Sequence, residues 1–146
     1  MPIEPTEDQL TGIGALAGGP GDGPVVMLNL NRYREVAAYE GEPPGGVPDD
    51  VSGREAYARY GTVAQPTLDR LGGRILWYAG TERTVIGDES DRYDEVIAVW
   101  YPSRQAFLQL ATDPGILAAL PHRRAGLERA ALICCESGPE AALAGA

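Results

Sequence analysis

Two hydrophobic periods take turns along this chain. Val25–Asn31 (Val-Val-Met-Leu-Asn-Leu-Asn) is a short apolar run of the strand type. Over Ser52–Leu71 the apolar positions Tyr57, Tyr60, Ala64, Leu68 and Leu71 recur every three or four residues, which marks one face of a helix. Arg74–Ala79 returns to the strand pattern. Glu95–Tyr101 repeats it, passing through Tyr-Pro-Ser straight into a helical pattern over Ser103–Ala111, and Leu127–Glu136 reads as a last strand.

Local signals set the boundaries. Thr6 to Gln9 has capping-box spacing, and Leu10, Ile13, Leu16 and Ala17 follow at helical intervals, so a short N-terminal helix is predicted. Gly18–Gly23 is a linker. Ser52 and Glu55 form a second capping box, Gly72-Gly73 ends that helix, and Pro66 is expected to kink or split it, because its nitrogen cannot bond the carbonyl of Thr62. Ser103 suits an N-cap. Thr84–Ile86 reads as a short strand extension before the charged turn Gly87–Arg92, and Asp113 opens a brief helical segment through Leu120. The domain limits are then 1–23 for helix and linker, 24–136 for the main domain, and 137–146 for an Ala/Gly-rich, flexible tail. The connection 34–51 carries a Gly/Pro-rich centre, Glu40–Asp50, suited to a lid. A β-α-β unit written twice predicts an α+β, ferredoxin-like βαββαβ protomer with a four-stranded antiparallel sheet.

Val96–Tyr101 and Ala130–Cys135 are apolar on both alternating faces, the pattern of strands covered on both sides. Two main helices cover one face of such a sheet. A second copy covering the other is the economical solution, so a homodimer is expected.

Several phrases point to one family. They are Pro24-Val-Val-Met-Leu-Asn-Leu30, Tyr57-Ala-Arg-Tyr60, Gly72-Gly73-Arg74, Tyr93-Asp94-Glu95-Val96, Tyr101-Pro-Ser-Arg-Gln-Ala-Phe107 and His122-Arg-Arg-Ala-Gly-Leu127. In that order, over about residues 24–136, they resemble the family catalogued as domain of unknown function 1330, in the dimeric α+β-barrel superfamily. The resemblance implies a ferredoxin-like protomer and a barrel homodimer. It leaves the chemistry open, since related proteins include cofactor-free monooxygenases, cyclases and isomerases.

Charge and composition narrow the chemistry further. A net charge of −9 offers no basic excess for phosphates, so nucleic acid is not an expected partner. No apolar run approaches the roughly 20 residues of a membrane span, and the N-terminus lacks a signal-peptide pattern. A cytoplasmic protein is the expectation. All 12 basic residues are Arg, which removes Schiff-base chemistry, lysine-held pyridoxal and P-loops. The one histidine excludes a multi-histidine metal site within a chain, and no metal or organic cofactor is expected. The adjacent Cys134 and Cys135 point to opposite strand faces and read as two buried, reduced thiols.

Among candidate catalytic groups, His122 has the pKa suited to acid–base work near neutrality, against the plainer reading of a solvated histidine near a helix end. Tyr60 is a candidate proton donor and Asp94 a candidate acid or an anchor for Arg123. Tyr57, Asn29, Trp77, Trp100 and Arg123 are candidate substrate contacts, with core packing as the competing account of the aromatics. The pocket is expected between the sheet and the Ser52–Leu71 helix, with His122 and Arg123 approaching from the final loop. The functional expectation is a small cofactor-independent enzyme of proton-transfer, cyclase, isomerase or monooxygenase type. Its substrate would be a hydrophobic, carbonyl-bearing metabolite, as in secondary metabolism. The alternative is a non-catalytic small-molecule-binding or accessory protein of the same fold.

Overall fold

The computed structural model describes residues 3–137. The predicted tail therefore lies outside the described residues, save Ser137. The elements are α1 (Glu7–Gly14), β1 (Val25–Tyr33), α2 (Gly53–Arg70), β2 (Arg74–Gly80), β3 (Glu95–Tyr101), α3 (Arg104–Ala111), α4 (Pro114–Gly126) and β4 (Leu127–Glu136). All strand pairs are antiparallel, in the order β2-β3-β1-β4, consistent with a ferredoxin-like fold. No helix among the described residues is long and apolar enough to cross a membrane.

The caps form largely as the sequence predicts. Thr6 and Gln9 complete a reciprocal capping box, and Ser103 Oγ accepts from the amide of Ala106. Ser52 Oγ accepts from Glu55, but the reciprocal half of that box is not made. At the far end of α2, Gly72 takes φ +81° while the Gly73 amide bonds Leu68 O and the Gly72 amide bonds Asp69 O, a Schellman stop that needs glycine's left-handed backbone.

Three local expectations need correcting. Of the kink or split expected at Pro66, the split does not occur: α2 runs on through it, with Thr67 and Leu68 just beyond buried in the core, and that packing outweighs one missing hydrogen bond. The segment from Asp113 does not end at Leu120 but runs through Pro121 to Gly126. Pro121 removes the bond to the carbonyl of Leu117, on a side of α4 where Leu117 is exposed, so water can replace it. Thr84–Ile86 forms no strand: it pairs with none of the four strands and remains an exposed loop, where apolar side chains gain nothing from a ladder.

The core lies between one sheet face and the helices: Val25, Met27, Val99 and Tyr101 pack against Leu68, Ala106, Leu110 and Ile116. The other face carries Val26, Leu28 and Leu30 from β1, Val96, Ala98 and Trp100 from β3, and Ala131 and Ile133 from β4. No described helix covers it. Cys134 and Cys135 are unpaired as expected but not both buried: Cys134 is exposed, since β4 is an edge strand.

α2 and α4 meet by backbone. A Cβ on Gly126 would lie 2.4 Å from Gly53 O and 2.9 Å from Tyr57 N. Gly12, in α1, has nothing within 4 Å of its Cβ position. Gly126→Ala should therefore cost about 1–3 kcal/mol of unfolding free energy. Gly12→Ala should add roughly 0.5–1 kcal/mol from helix propensity alone. Urea unfolding of the two variants checks both signs.

Candidate functional site

The N-terminal half of α2 turns Tyr57 and Tyr60 toward the sheet, and the glycine contact at Gly126 fixes Tyr57 against the end of α4. Tyr33, at the end of β1, extends the row: its ring centroid lies 5.4 Å from that of Tyr57, which lies 5.7 Å from that of Tyr60. The hydroxyls of Tyr57 and Tyr60 make no hydrogen bond to a described residue, whereas Tyr33 is fully engaged. Its hydroxyl donates to Glu95 Oε1 at 2.6 Å and accepts from Asn31 Nδ2 at 3.5 Å. Arg54 sits 3.5 Å from Glu95 Oε2 and lies 4.6 Å from the centroid of the Tyr33 ring.

Burial and the Glu95 hydrogen bond push the Tyr33 phenol well above its ordinary pKa. Tyr60 is raised by burial and partly drawn back by the charge of Arg123. Tyr101, below them in the core, is raised by burial. All three resist ionisation because a phenolate loses its hydration there.

His122 is not solvated and does not lie in a loop. It occupies the interior of α4, 8% exposed, with Nδ1 2.6 Å from the hydroxyl of Tyr39 and the two rings edge to face. Arg59, from α2, donates to the Tyr39 hydroxyl at 3.1 Å and to Pro48 O at 2.7 Å. Tyr39 accepts from Arg59 and keeps its own proton available to Nδ1, an arrangement compatible with a neutral imidazole protonated on Nε2. Burial, helped by the Arg59 charge, lowers the His122 pKa.

The remaining predicted residues separate. Asn29 shares the helix-side face of β1, but its amide donates to Met27 O and Ile97 O, both at 3.3 Å. Asp94 accepts from the Tyr33 amide at 2.8 Å and pairs with Arg92, not with Arg123; it holds the β1 end at a bulge against β4. Arg123 donates to Ile3 O, tying the N-terminal segment to α4. Trp77 and Trp100 do share a face, but it is the open one. A bulge between Ile75 and Trp77 sets Trp77 opposite Ala98, and Arg74 lies 5.2 Å from the Trp100 ring. They are thus across the sheet from Tyr57 and Tyr60.

Two open depressions are prominent, and neither runs between α2 and the core. One lies under the loop after β2, against Leu30 and Val96. The other is bounded by Tyr33, Arg34, Val36, Arg92, Asp94 and Glu128, so that of the tyrosine row it touches Tyr33. Among the described residues, no group of three His, Cys, Asp or Glu side chains could hold a metal ion.

Sequence reading missed Tyr33, Asn31 and Glu95, and also Tyr39 and Arg59. Alternation along β1 and β3 could have found the first three, since the strand register sets Asn31 opposite Glu95. No local pattern joins Tyr39 to His122. What the cluster offers chemically is a carboxylate, two hydroxyls without a partner among the described residues, and a cation.

A raised phenol pKa gives stability that is complete below the unfolded-state pKa near 10 and is lost as pH rises above it, since the unfolded chain then releases the proton first. With Tyr33, Tyr60 and Tyr101 all raised, unfolding free energy should fall steeply above pH 10, by up to about 1.4 kcal/mol per pH unit for each group. Tyr33→Phe should make that slope shallower. Urea unfolding between pH 9 and 11.5 would show it, and equal slopes in the variant and the parent would contradict it.

Comparison with known proteins places the chain. The family described as Domain of unknown function (DUF1330) matches residues 47–136. The crystal structure of a protein of unknown function from Rhodopseudomonas palustris is 37% identical, with a TM-score of 0.76, over 90% of this chain and 93% of that one. The methylated form of that protein gives 36% identity and a TM-score of 0.79, over 94% and 96%. No curated protein matches the chain. With more than half of its length inside the family's limits and a similar fold in these relatives, this protein belongs to the DUF1330 family.

Proposed function

We propose that the protein is a cofactor-independent enzyme that moves a proton on a small, hydrophobic, carbonyl-bearing metabolite. The substrate would bind in the depression bordered by Tyr33 and reach from there toward the hydroxyls of Tyr57 and Tyr60, the next rings of the row. The observation that carries this reading is a pair of unpartnered hydroxyls, Tyr57 and Tyr60, next to the hydrogen-bonded Tyr33–Glu95 pair. In the proposed step, Glu95 takes the proton α to the carbonyl and the C–H electrons pass to the carbonyl oxygen. Tyr60 donates a hydrogen bond to that enolate, and the nearby Arg123 charge favours the oxyanion. Return of the proton to a second carbon completes an isomerisation or sets up a cyclisation. His122 and Asp94, candidates from sequence, take no part in the step because their polar atoms hold the fold.

A second reading, a protein that binds such a metabolite without transforming it, is favoured by that same engagement of His122. Proton NMR in deuterated water separates the two, using a panel of aryl ketones and 1,3-diketones. Accelerated loss of the α-proton signal, reduced on the order of 10²–10⁴-fold in Glu95→Gln, supports the enzyme. Saturation transfer without exchange supports the binder. Neither signal across the panel would sink both.

We also infer that two copies pair through their open sheet faces. The support is the uncovered row of Val26, Leu28, Leu30, Val96, Trp100 and Ile133, larger than the scattered apolar residues monomers expose. Light scattering should give twice the 15.5 kDa chain mass, and Leu28→Asp should shift the protein toward monomer. A parent that runs as a monomer at micromolar concentration removes this inference.

A further inference from the structure

The connection 34–51 is held at two levels. Backbone bonds fix its ends: Arg34 N to Gly126 O at 2.8 Å, Ala38 N to Ala125 O at 2.9 Å and Ala37 N to Val51 O at 2.9 Å. Its middle is held by side chains from two helices that meet on one hydroxyl. Tyr39 touches His122 of α4 on one side and Arg59 of α2 on the other, while Arg59 also reaches Pro48 O. The arrangement closes a loop whose central residues are otherwise largely exposed.

We propose that Arg59–Tyr39–His122 is a proton-sensitive latch that holds the 34–51 connection against α2 and α4 near neutral pH and releases it in acid. The hydroxyl of Tyr39 has one proton. With Arg59 donating to its oxygen, that proton remains available to Nδ1, and Nδ1 can accept it while the imidazole is neutral and protonated on Nε2. Protonating Nδ1 displaces the Tyr39 proton from this hydrogen bond and puts an imidazolium near a guanidinium that cannot lose its charge, both on the same hydroxyl. The groups facing His122 are Tyr39 from the connection and Arg59 from α2; no carboxylate among the described residues offsets the Arg59 charge. The lowered pKa of the closed form agrees with this geometry: the closed form binds the proton more weakly than the open one, so opening takes up a proton and falling pH favours it. Because the connection starts beside Tyr33, release would widen the mouth of the tyrosine row. That consequence rests on the site proposed above; the latch itself does not.

Amide and histidine-ring NMR of the full chain tests it without any substrate. Between pH 7.5 and 5 the amide resonances of residues 34–51 should move together, with a midpoint below the ordinary histidine value of about 6.5. The imidazole should appear at high pH as the tautomer protonated on Nε2. His122→Asn keeps an acceptor near the Nδ1 position but cannot titrate, so its loop should stay closed across the range. Tyr39→Phe loses the contact without touching the helix and should show the open-form shifts already at pH 7.5. The latch is overturned if the parent's loop resonances do not respond to pH, or if Tyr39→Phe matches the closed parent. These readouts follow loop position alone, so failure of the proposed proton transfer would leave them unchanged.

Discussion

The approach of α2 to α4 at Gly53 and Gly126 governs the rest of the molecule. A Cβ on Gly53 would fall 2.2 Å from Arg34 O and 2.7 Å from Gly126 O, so three backbones converge where side chains normally keep helices 8–10 Å apart. Arg34 N bonds Gly126 O and Gly53 N bonds Arg34 O through that gap. The end of β1, the start of α2 and the end of α4 are thereby one rigid junction. Tyr33 and Tyr57 are its immediate neighbours, and both ends of the 34–51 connection leave from it. The tyrosine row and the Tyr39 contact share this single support.

Polar groups in the helix–sheet layer concentrate at the junction end. Toward α3 the layer is apolar, with Val25, Leu110 and Ile116 almost fully buried. Toward the junction it holds Asn31 and Glu95 as opposed strand residues, with Tyr33 and Arg54 completing their bonds. Burying a carboxylate costs several kcal/mol unless it is paired and hydrogen-bonded, and Glu95 has both forms of support. Such an investment of polar groups at one end of an otherwise dry layer has no packing advantage over aliphatic side chains. It does place a hydrogen-bonded, ion-paired carboxylate at the Tyr33 end of the tyrosine row.

The strands, the helix starts and the family were legible because each depends on residues close in sequence. β3 and β4 have the expected limits, and Thr6 and Ser103 cap as predicted. What was not legible depended on register or on distant pairing. One extra residue in β2 moves Trp77 to the face of Trp100; simple alternation from Ile75 would have turned it toward the helices. Pro121 reads locally as a helix stop, yet α4 continues because Ile116, Ala119, His122 and Ala125 are buried along one side. His122 was visible as a residue, but its partner Tyr39 lies 83 positions away and Arg59 belongs to another helix.

The absence of lysine acquires a physical meaning at these sites. A lysine beside His122 could shed its proton when crowded, and the pair would share the cost of burial. Arg59 cannot, so the whole adjustment falls on the imidazole, which is held neutral. The same permanence acts in the other direction at Tyr60, where the Arg123 charge opposes the effect of burial and favours an oxyanion. At Glu95 the planar Arg54 both pairs with the carboxylate and lies against the Tyr33 ring, two contacts that a flexible ammonium would make less well. Fixed cations thus act in opposite senses on neighbouring groups: Arg59 adds to the effect of burial on His122, while Arg123 opposes the effect of burial on Tyr60. Only the second arrangement would favour a negative charge developing on a bound carbonyl, which is the reason for placing the proposed proton transfer at the tyrosine row and the proposed latch at the histidine.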